Sequence, residues 1–377
     1  LPTNGDGDFT TTRASVATRV NENGLIEEVA SNVPRLDYSD GTCPSLLLEP
    51  AATNLIPYSE DFSNASWTKA GNAVVTPNNA ISPDGTLNAS TVTGLDGTGT
   101  NDLYTQPTFN TSNKTVTYSV YLKGSGTLRI NVSNNIDDNS SKTLTLTNNW
   151  EKYFITYSFN ASTSVQMVCN LDDLSATATT YEVWGAQLEE NSYATSYIPT
   201  QGSPQTRVAD TASGSGNSTV INSSEGVLYA EIENASPLPL TRGWILSSAL
   251  NNGSDIVGIR FSPSQDVNFY LRANSVTTIN ENIPNTYNGF IKIALKYKSG
   301  ENSLWINGVE VHSNTNAFSF SNSLSNLSNS DGLGNVGYFN LKNTQVYTTA
   351  LSDAELTTLT SWTSFTAMAN ALNYTII

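Results

Sequence analysis

The sequence predicts an all-β protein: two tandem antiparallel β-sandwiches with one short C-terminal helix. Three observations carry this. Val116, Tyr118, Val120 and Leu122 alternate with Thr117, Ser119 and Tyr121, and Ile291, Ile293, Leu295 and Tyr297 alternate with Lys292, Ala294, Lys296 and Lys298. Period two with one polar face marks half-buried antiparallel strands. In Leu304-Trp305-Ile306-Asn307-Gly308-Val309-Glu310-Val311, an Asn-Gly step that accepts positive φ joins two short apolar runs, as a type I′ hairpin requires. One stretch reads as a helix: Ser352 as N-cap with Glu355 three residues on is a capping box, and Leu351 and Leu356 flank it as a hydrophobic staple. Leu356, Leu359 and Trp362 then share one face.

In chain order, residues 1–50 are polar and turn-rich, with Asn4-Gly5-Asp6-Gly7-Asp8 and Asn23-Gly24, and read as an attachment segment. Residues 51–200 hold a first set of alternating strands, including Val165, Met167, Cys169 and Leu171. Residues 201–224, with Gln201-Gly202-Ser203-Pro204 and Ser213-Gly214-Ser215-Gly216, read as a flexible linker. Residues 225–377 hold the second set and the helix. A chain of 377 residues accommodates two or three such domains.

Composition narrows the function. Only 13% of residues are charged, and polarity comes from neutral side chains, with 45 asparagines. The net charge of -16 excludes nucleic-acid binding by counterion release and disfavours anionic lipid. No apolar run approaches a membrane span. The chain opens on Leu1 and is expected to be a processed or truncated piece of something longer. Two cysteines, Cys43 and Cys169, do not make a disulfide framework.

Catalytic patterns are sparse. His312 is the single histidine, so any Ser-His-Asp arrangement must use a residue in a hairpin strand. Gly332-Leu333-Gly334-Asn335-Val336-Gly337 spells a nucleotide fingerprint but leads into Tyr338-Phe339-Asn340-Leu341, which reads as a strand, so it is a turn. Glu231 and Glu233 share a strand face and resemble the opening of the E-x-D-x-x-E motif of laminarinase-type glycoside hydrolases, but Ser236 stands where the third carboxylate belongs. Asp137-Asp138, Asp172-Asp173 and Glu189-Glu190 are adjacent, so their carboxylates point to opposite faces of a strand. Asn4, Asp6 and Asp8 have the alternating oxygens of a calcium loop, yet Phe9 and Ser15 occupy positions such a loop gives to glycine and glutamate. The expectation is no cofactor, with a structural Ca ion at Asn4, Asp6 and Asp8 as the one metal candidate.

The 6 Trp, 17 Tyr and 12 Phe are the remaining resource. A sugar packs its C–H face on a flat ring while amides and guanidinium groups hold its hydroxyls. Trp150, Tyr153, Trp184 and Trp305 sit in strand patterns and read as core. Trp67, Tyr104, Trp244 beside Arg242, and Tyr270 with Arg272 and Asn274 are the candidate carbohydrate contacts. Tyr270 and Arg272 share a strand face at period two.

A series of segments carries a family resemblance: Leu1-Pro2-Thr3-Asn4-Gly5-Asp6-Gly7-Asp8-Phe9, Thr12-Arg13-Ala14-Ser15, Asn23-Gly24-Leu25-Ile26, Val33-Pro34-Arg35-Leu36-Asp37-Tyr38, Leu46-Leu47-Leu48-Glu49-Pro50, Thr53-Asn54-Leu55, Ser59-Glu60-Asp61-Phe62, Trp67-Thr68-Lys69, Trp184-Gly185-Ala186-Gln187-Leu188-Glu189, Ala194-Thr195-Ser196-Tyr197-Ile198-Pro199-Thr200, Thr206-Arg207 and Ala209-Asp210. Together, over residues 1 to about 212, they resemble bacteriophage tail-fibre and head-fibre virion proteins. Residues 55–190 resemble a jelly-roll carbohydrate-binding module. Residues 225–365 resemble a laminin-G or concanavalin-like lectin domain. The resemblance implies a non-enzymatic fibre or decoration protein on a virion surface or otherwise extracellular. Its partners would be glycans and other virion proteins, in a homo-oligomer with a trimer favoured. A phage-tail polysaccharide depolymerase and a secreted bacterial adhesin are the alternatives.

Overall fold

The computed structural model describes residues 9–41, 43–134, 139–161, 167–233, 242–248, 253–262, 264–284, 289–332 and 336–361; of the strand Arg242–Ser248 the Arg242 side chain is not described. The strands divide between two units. One comprises Leu1–Ala14, Asn32–Pro50 and Ala209–Ile377; the other comprises Ser15–Ser31 and Ala51–Val208. We call them the carboxyl unit and the central unit. Each is an antiparallel β-sandwich, as the alternation requires.

In the central unit one sheet runs in the order Asn139–Leu146, Gly126–Ser133, Val168–Asp172, Leu103–Thr105, Trp67–Lys69. The second runs Glu151–Ser158, Thr115–Gly124, Thr180–Glu189, Ala89–Thr93, Val74–Ala80. One core joins their inner faces: Trp67, Leu103, Leu128, Ile130, Cys169 and Leu171 from the first, and Val92, Val116, Tyr118, Val120, Leu122 and Val183 from the second. The outer face of the second sheet is also covered. There Trp184 and Tyr197 pack 4.5 Å apart in a small aromatic cluster with Ile26 from the hairpin Ala17–Val20 and Ile26–Val29.

In the carboxyl unit a seven-stranded sheet runs Val309–Asn314, Asn302–Ile306, Ile291–Lys298, Glu225–Glu233, Phe339–Tyr347, Ser45–Leu48, Leu36–Asp37. It faces a five-stranded sheet in the order Val276–Ile283, Val267–Ala273, Ile256–Phe261, Arg242–Ser248, Leu324–Ser328. The predicted hairpin turn is present, with Asn307 at φ 49° and Gly308 at φ 87°. The helix Asp353–Thr360 starts where the capping box places it: the Glu355 carboxylate accepts both the Ser352 N–H and its hydroxyl, at 2.8 and 2.7 Å. Leu356 beneath it is fully buried with Tyr229, Ala294 and Trp305 on the outer face of the larger sheet. Trp362 lies outside the described residues.

The units divide the chain differently from composition. Residues 1–50 supply strands to both sandwiches rather than forming a separate segment. Residues 201–224, read as a linker, are held by pairing: Gln205–Arg207 pairs with Ala52–Asn54 in the central unit, and Thr211–Ser213 pairs with Thr10–Thr12 in the carboxyl unit. The Ser-Gly run is fixed because Asn329 and Asn326 side-chain oxygens accept the N–H groups of Ala212 and Gly214, at 2.9 and 2.7 Å. Composition reports a chain's freedom only when nothing elsewhere satisfies its backbone.

The segments of the virion-protein resemblance become buried polar hubs. Asn54 is fully buried; its amide donates to the Ala186 and Ile198 carbonyls and its oxygen accepts the Ile56 and Leu188 N–H groups, all within 3.1 Å. Gln187 accepts the Ile198 N–H at 2.7 Å. Glu189 accepts the Thr195 N–H at 3.1 Å and the Thr195 hydroxyl. In the carboxyl unit Asp210 receives Arg13 at 3.0 Å and Arg35, and Arg35 also reaches Glu49 at 2.7 Å. These residues close the sandwiches, and buried polar groups tolerate few substitutes.

Candidate functional site

Most aromatic candidates prove to be core. Trp244 is fully buried, between Phe9 at 5.1 Å and Phe339 at 5.8 Å, with its indole N–H donated to Thr344 Oγ1 at 2.8 Å. Trp67 is buried against Phe62 at 4.7 Å and donates its N–H to the Tyr58 carbonyl at 2.8 Å. Neither ring offers a face to a ligand, so the reading of both as sugar platforms is corrected: they lie at inward strand positions, in the cores. Tyr270 is on the outward face of its sheet, but the Arg260 guanidinium lies over its ring at 3.9 Å and Ile245 and Ile256 pack around it, leaving it 7% exposed. Arg272, half-buried on the neighbouring outward position, therefore has no open ring beside it. Asn274 forms the hairpin turn after Val267–Ala273 at φ 52°, and its amide donates to the Ser319 carbonyl at 2.7 Å. The Arg242 side chain, Asn4, Asp6 and Asp8 lie outside the described residues, as do Asp137, Asp138 and Ser236.

The acids of the depolymerase alternative lie in the strand Glu225–Glu233. Glu231 and Glu233 stand half-buried on one face; Glu231 is opposite Lys292 and Glu233 accepts the Asn340 amide at 3.1 Å. His312 packs edge-on against Phe269 at 6.3 Å, and the Asn314 amide lies 3.3 Å from its Nε2. Cys43 is exposed in the carboxyl unit, Cys169 is buried in the central one, and the two are not joined. Among the described residues no three His, Cys, Asp or Glu side chains are grouped to hold a metal.

Tyr104 is different. It sits in Leu103–Thr105, whose neighbours Leu103 and Thr105 point into the core, so the phenol points outward. Register then builds a polar face. Tyr104 lies opposite Asn170 and Thr68, and Asn170 lies opposite Asn131. The next row holds Asp172 opposite Arg129, with Asp102 at the head of the Tyr104 strand. Arg129 Nε donates to both Asp172 oxygens, at 2.7 and 2.8 Å, which spends that charge pair on itself. Tyr104, Asn131, Asn170 and Asp102 remain half-buried.

Two acceptors on this face are unsatisfied: Asp102 Oδ1 and Asn170 Oδ1 are buried and neither accepts a hydrogen bond. A buried oxygen without a donor costs about 1–3 kcal/mol, and a ligand hydroxyl relieves it. Burial pushes the Asp102 carboxyl up to about 6; the Asp172 carboxylate adds to this and the Asn170 amide opposes it. The head of the strand is positioned by Asp173, which turns away from the face and accepts N–H groups from Asp96, Gly97, Gly99 and Asn101.

Of this face Tyr104 was the one carbohydrate candidate in the sequence, and Asp172 stood there only as half of an adjacent acid pair. The others were readable in principle. With Met167, Cys169 and Leu171 inward, Asn170 and Asp172 must point outward; the pairing that puts them beside Tyr104, 66 and 68 positions away, is what the sequence does not print.

No protein-family model matches the chain, and no curated protein is detectably similar to it. Solved structures share partial likeness. The leech intramolecular trans-sialidase is 19% identical with a TM-score of 0.31, over 38% of this chain and 24% of that one. The CBM40 of the Ruminococcus gnavus IT-sialidase is 18% identical with a TM-score of 0.33, over 40% and 94%. The enzymatically active domain of tailspike protein 4 of bacteriophage CBA120 is 10% identical with a TM-score of 0.30, over 36% and 21%. The chain thus spans about a quarter or less of the sialidase and the tailspike.

Proposed function

We propose that the protein is a non-enzymatic glycan-binding display protein, and that the outward face around Tyr104 is its sugar contact. The observation that carries this is the half-buried Tyr104 ring beside two buried acceptors, Asp102 Oδ1 and Asn170 Oδ1, that lack donors. The ring takes a pyranose C–H face and the oxygens take its hydroxyls. One ring and a few hydrogen bonds give single-site affinity near the millimolar range, about 4 kcal/mol. Many copies on one particle raise that by avidity. The virion reading, with a trimeric fibre or decoration subunit at the particle surface, rests on the residue series of the N-terminal half, and the acidic, amide-rich surface suits a displayed protein. Mass spectrometry and antibody labelling of purified phage particles test that placement.

A glycan array on the purified protein, repeated with Tyr104→Ala, tests the contact. The variant is expected to melt as the parent does and to lose at least tenfold in affinity, about 1.4 kcal/mol. Unchanged binding by a folded Tyr104→Ala removes the site.

A hydrolase is the second reading, and Asp102 is what favours it. A carboxyl raised to about 6 next to the Asp172 carboxylate, which Arg129 holds, resembles an acid paired with a base. Our proposal expects no reducing ends from any glycan that binds. Turnover that Asp102→Asn abolishes would establish the enzyme instead.

A further inference from the structure

The central unit holds a cavity of about 670 Å³, within the size range of small-ligand pockets, that the Tyr104 face does not use. Glu28, Glu60 and Asp61 line the cavity, and Glu28 and Asp61 are exposed. Glu60 is held in place from behind: Tyr197 donates its hydroxyl to Glu60 Oε1 at 2.9 Å, and Tyr197 shares that hydroxyl with Ser59 Oγ at 2.7 Å. Asn88, also in the wall, gives its amide to Glu60 at 3.3 Å and to Asp84 at 3.1 Å. That leaves Asn88 Oδ1 buried with no donor. The cavity therefore presents three carboxylates and an orphaned carbonyl, alongside the hydroxyls and amides of Thr18, Ser63, Asn78 and Gln201. Arg207 is the cation of the wall, and its side chain is almost wholly buried. The cavity is also lined by Tyr58, Ile198 and Pro199.

We propose that this cavity binds a glycan residue carrying a free, protonated amino group. An ammonium has three donors, no acceptor and a positive charge, which matches three carboxylates lining one cavity. A neutral hydroxyl has one O–H to donate and no charge, and an acetamido group has one N–H and no charge. The Tyr58 ring and the prolyl surface take the C–H face of the same sugar, and a ring near a cation adds to the attraction. The unbalanced negative charge focuses cations into the cleft. Burial and the neighbouring Asp84 and Glu28 carboxylates push the Glu60 carboxyl up against the opposing Tyr197 bond, so a bound cation also relieves that crowding.

The test is titration calorimetry with the glucosamine disaccharide, its N-acetylated form and cellobiose. The free-amine disaccharide is expected to bind at least tenfold more tightly than the other two. Glu60→Gln keeps the oxygen that Tyr197 needs and is expected to weaken the free-amine disaccharide at least tenfold with an unchanged melting temperature. Glu28→Gln, at an exposed position, serves if Glu60→Gln folds poorly and is expected to weaken it at least threefold. Glu310→Gln removes one exposed charge from the other unit and is expected to change nothing. Equal binding of amine and N-acetyl forms, no binding of either, or equal losses in Glu310→Gln and the cavity variants would overturn the proposal. Tyr104→Ala is expected to leave amine binding intact, so failure of the Tyr104 site and failure of the cavity read out separately.

Discussion

Replacing Asp210 with asparagine is expected to lower the stability of the carboxyl unit by about 3–5 kcal/mol, the usual penalty for removing one partner of a buried ion pair. Asp210 is 1% exposed and accepts from Arg13 and Arg35, whose side chains have no exposure at all. It also accepts the Glu49 N–H at 3.0 Å. Asparagine removes the carboxylate charge that faces both desolvated guanidinium groups. Burial works against the Arg35 charge, and the Glu49 and Asp210 carboxylates more than offset it, holding that guanidinium above its ordinary value. In a unit of this size the melting temperature falls by about 2–4 °C per kcal/mol, so a shift on the order of 10 °C is expected. The pair Arg19–Glu27, 25% and 37% exposed, provides the contrast: Glu27→Gln is expected to cost less than about 1 kcal/mol. Melting and urea curves of the two variants decide this, and a loss below 1 kcal/mol for Asp210→Asn would sink it.

The same network explains what the sequence made legible. Arg13, Arg35, Glu49 and Asp210 all lie within the segments that resemble virion proteins, but their task was invisible, because Asp210 meets Arg13 and Arg35 across 197 and 175 positions. Strand type was legible because apolar residues repeat at every second position, so Val116 to Leu122 and Ile291 to Tyr297 announce their inward faces, although Thr117, Ser119, Ala294 and Lys296 between them are buried as well. The Asn307-Gly308 turn and the Ser352–Glu355 cap were legible because both are local. Ring function was not. Alternation distinguishes inside from outside only relative to a partner sheet, so Trp244 and Trp67 read as open when each lies in a core. Tyr270 shows a further failure: its outward position is right for a ligand, but Arg260, ten residues earlier in sequence and on the neighbouring strand, fills the ring face.

Asp173→Ala is expected to remove both stability and glycan binding from the central unit, because one carboxylate holds the loop that delivers the site. It accepts N–H groups from Asp96, Gly97, Gly99 and Asn101 and the Asn101 amide, at 2.7–3.3 Å. Gly97 and Gly99 stand at φ 80° and 79°, where a side chain is strained, so the loop wraps the carboxylate only with glycine there. Alanine leaves these donors without an acceptor, and about 3–4 kcal/mol is the expected loss. The loop runs directly into Asp102 and Tyr104, so the variant is also expected to bind glycan at least tenfold more weakly, whereas Tyr104→Ala loses binding alone. The pH dependence has a fixed sign. Burial pushes the Asp173 carboxyl up, but the Asn101 amide and the loop N–H groups outweigh it and hold it well below the usual carboxylate range. A carboxyl depressed on folding stabilises above its unfolded value near 4, and that contribution is lost as pH falls through the folded value. Wild-type minus variant stability is therefore expected to be constant above about pH 5 and to shrink progressively below about pH 4. Denaturation curves from pH 2 to 7 measure that difference; a difference that grows on acidification would show that Asp173 does not hold the loop by its charge.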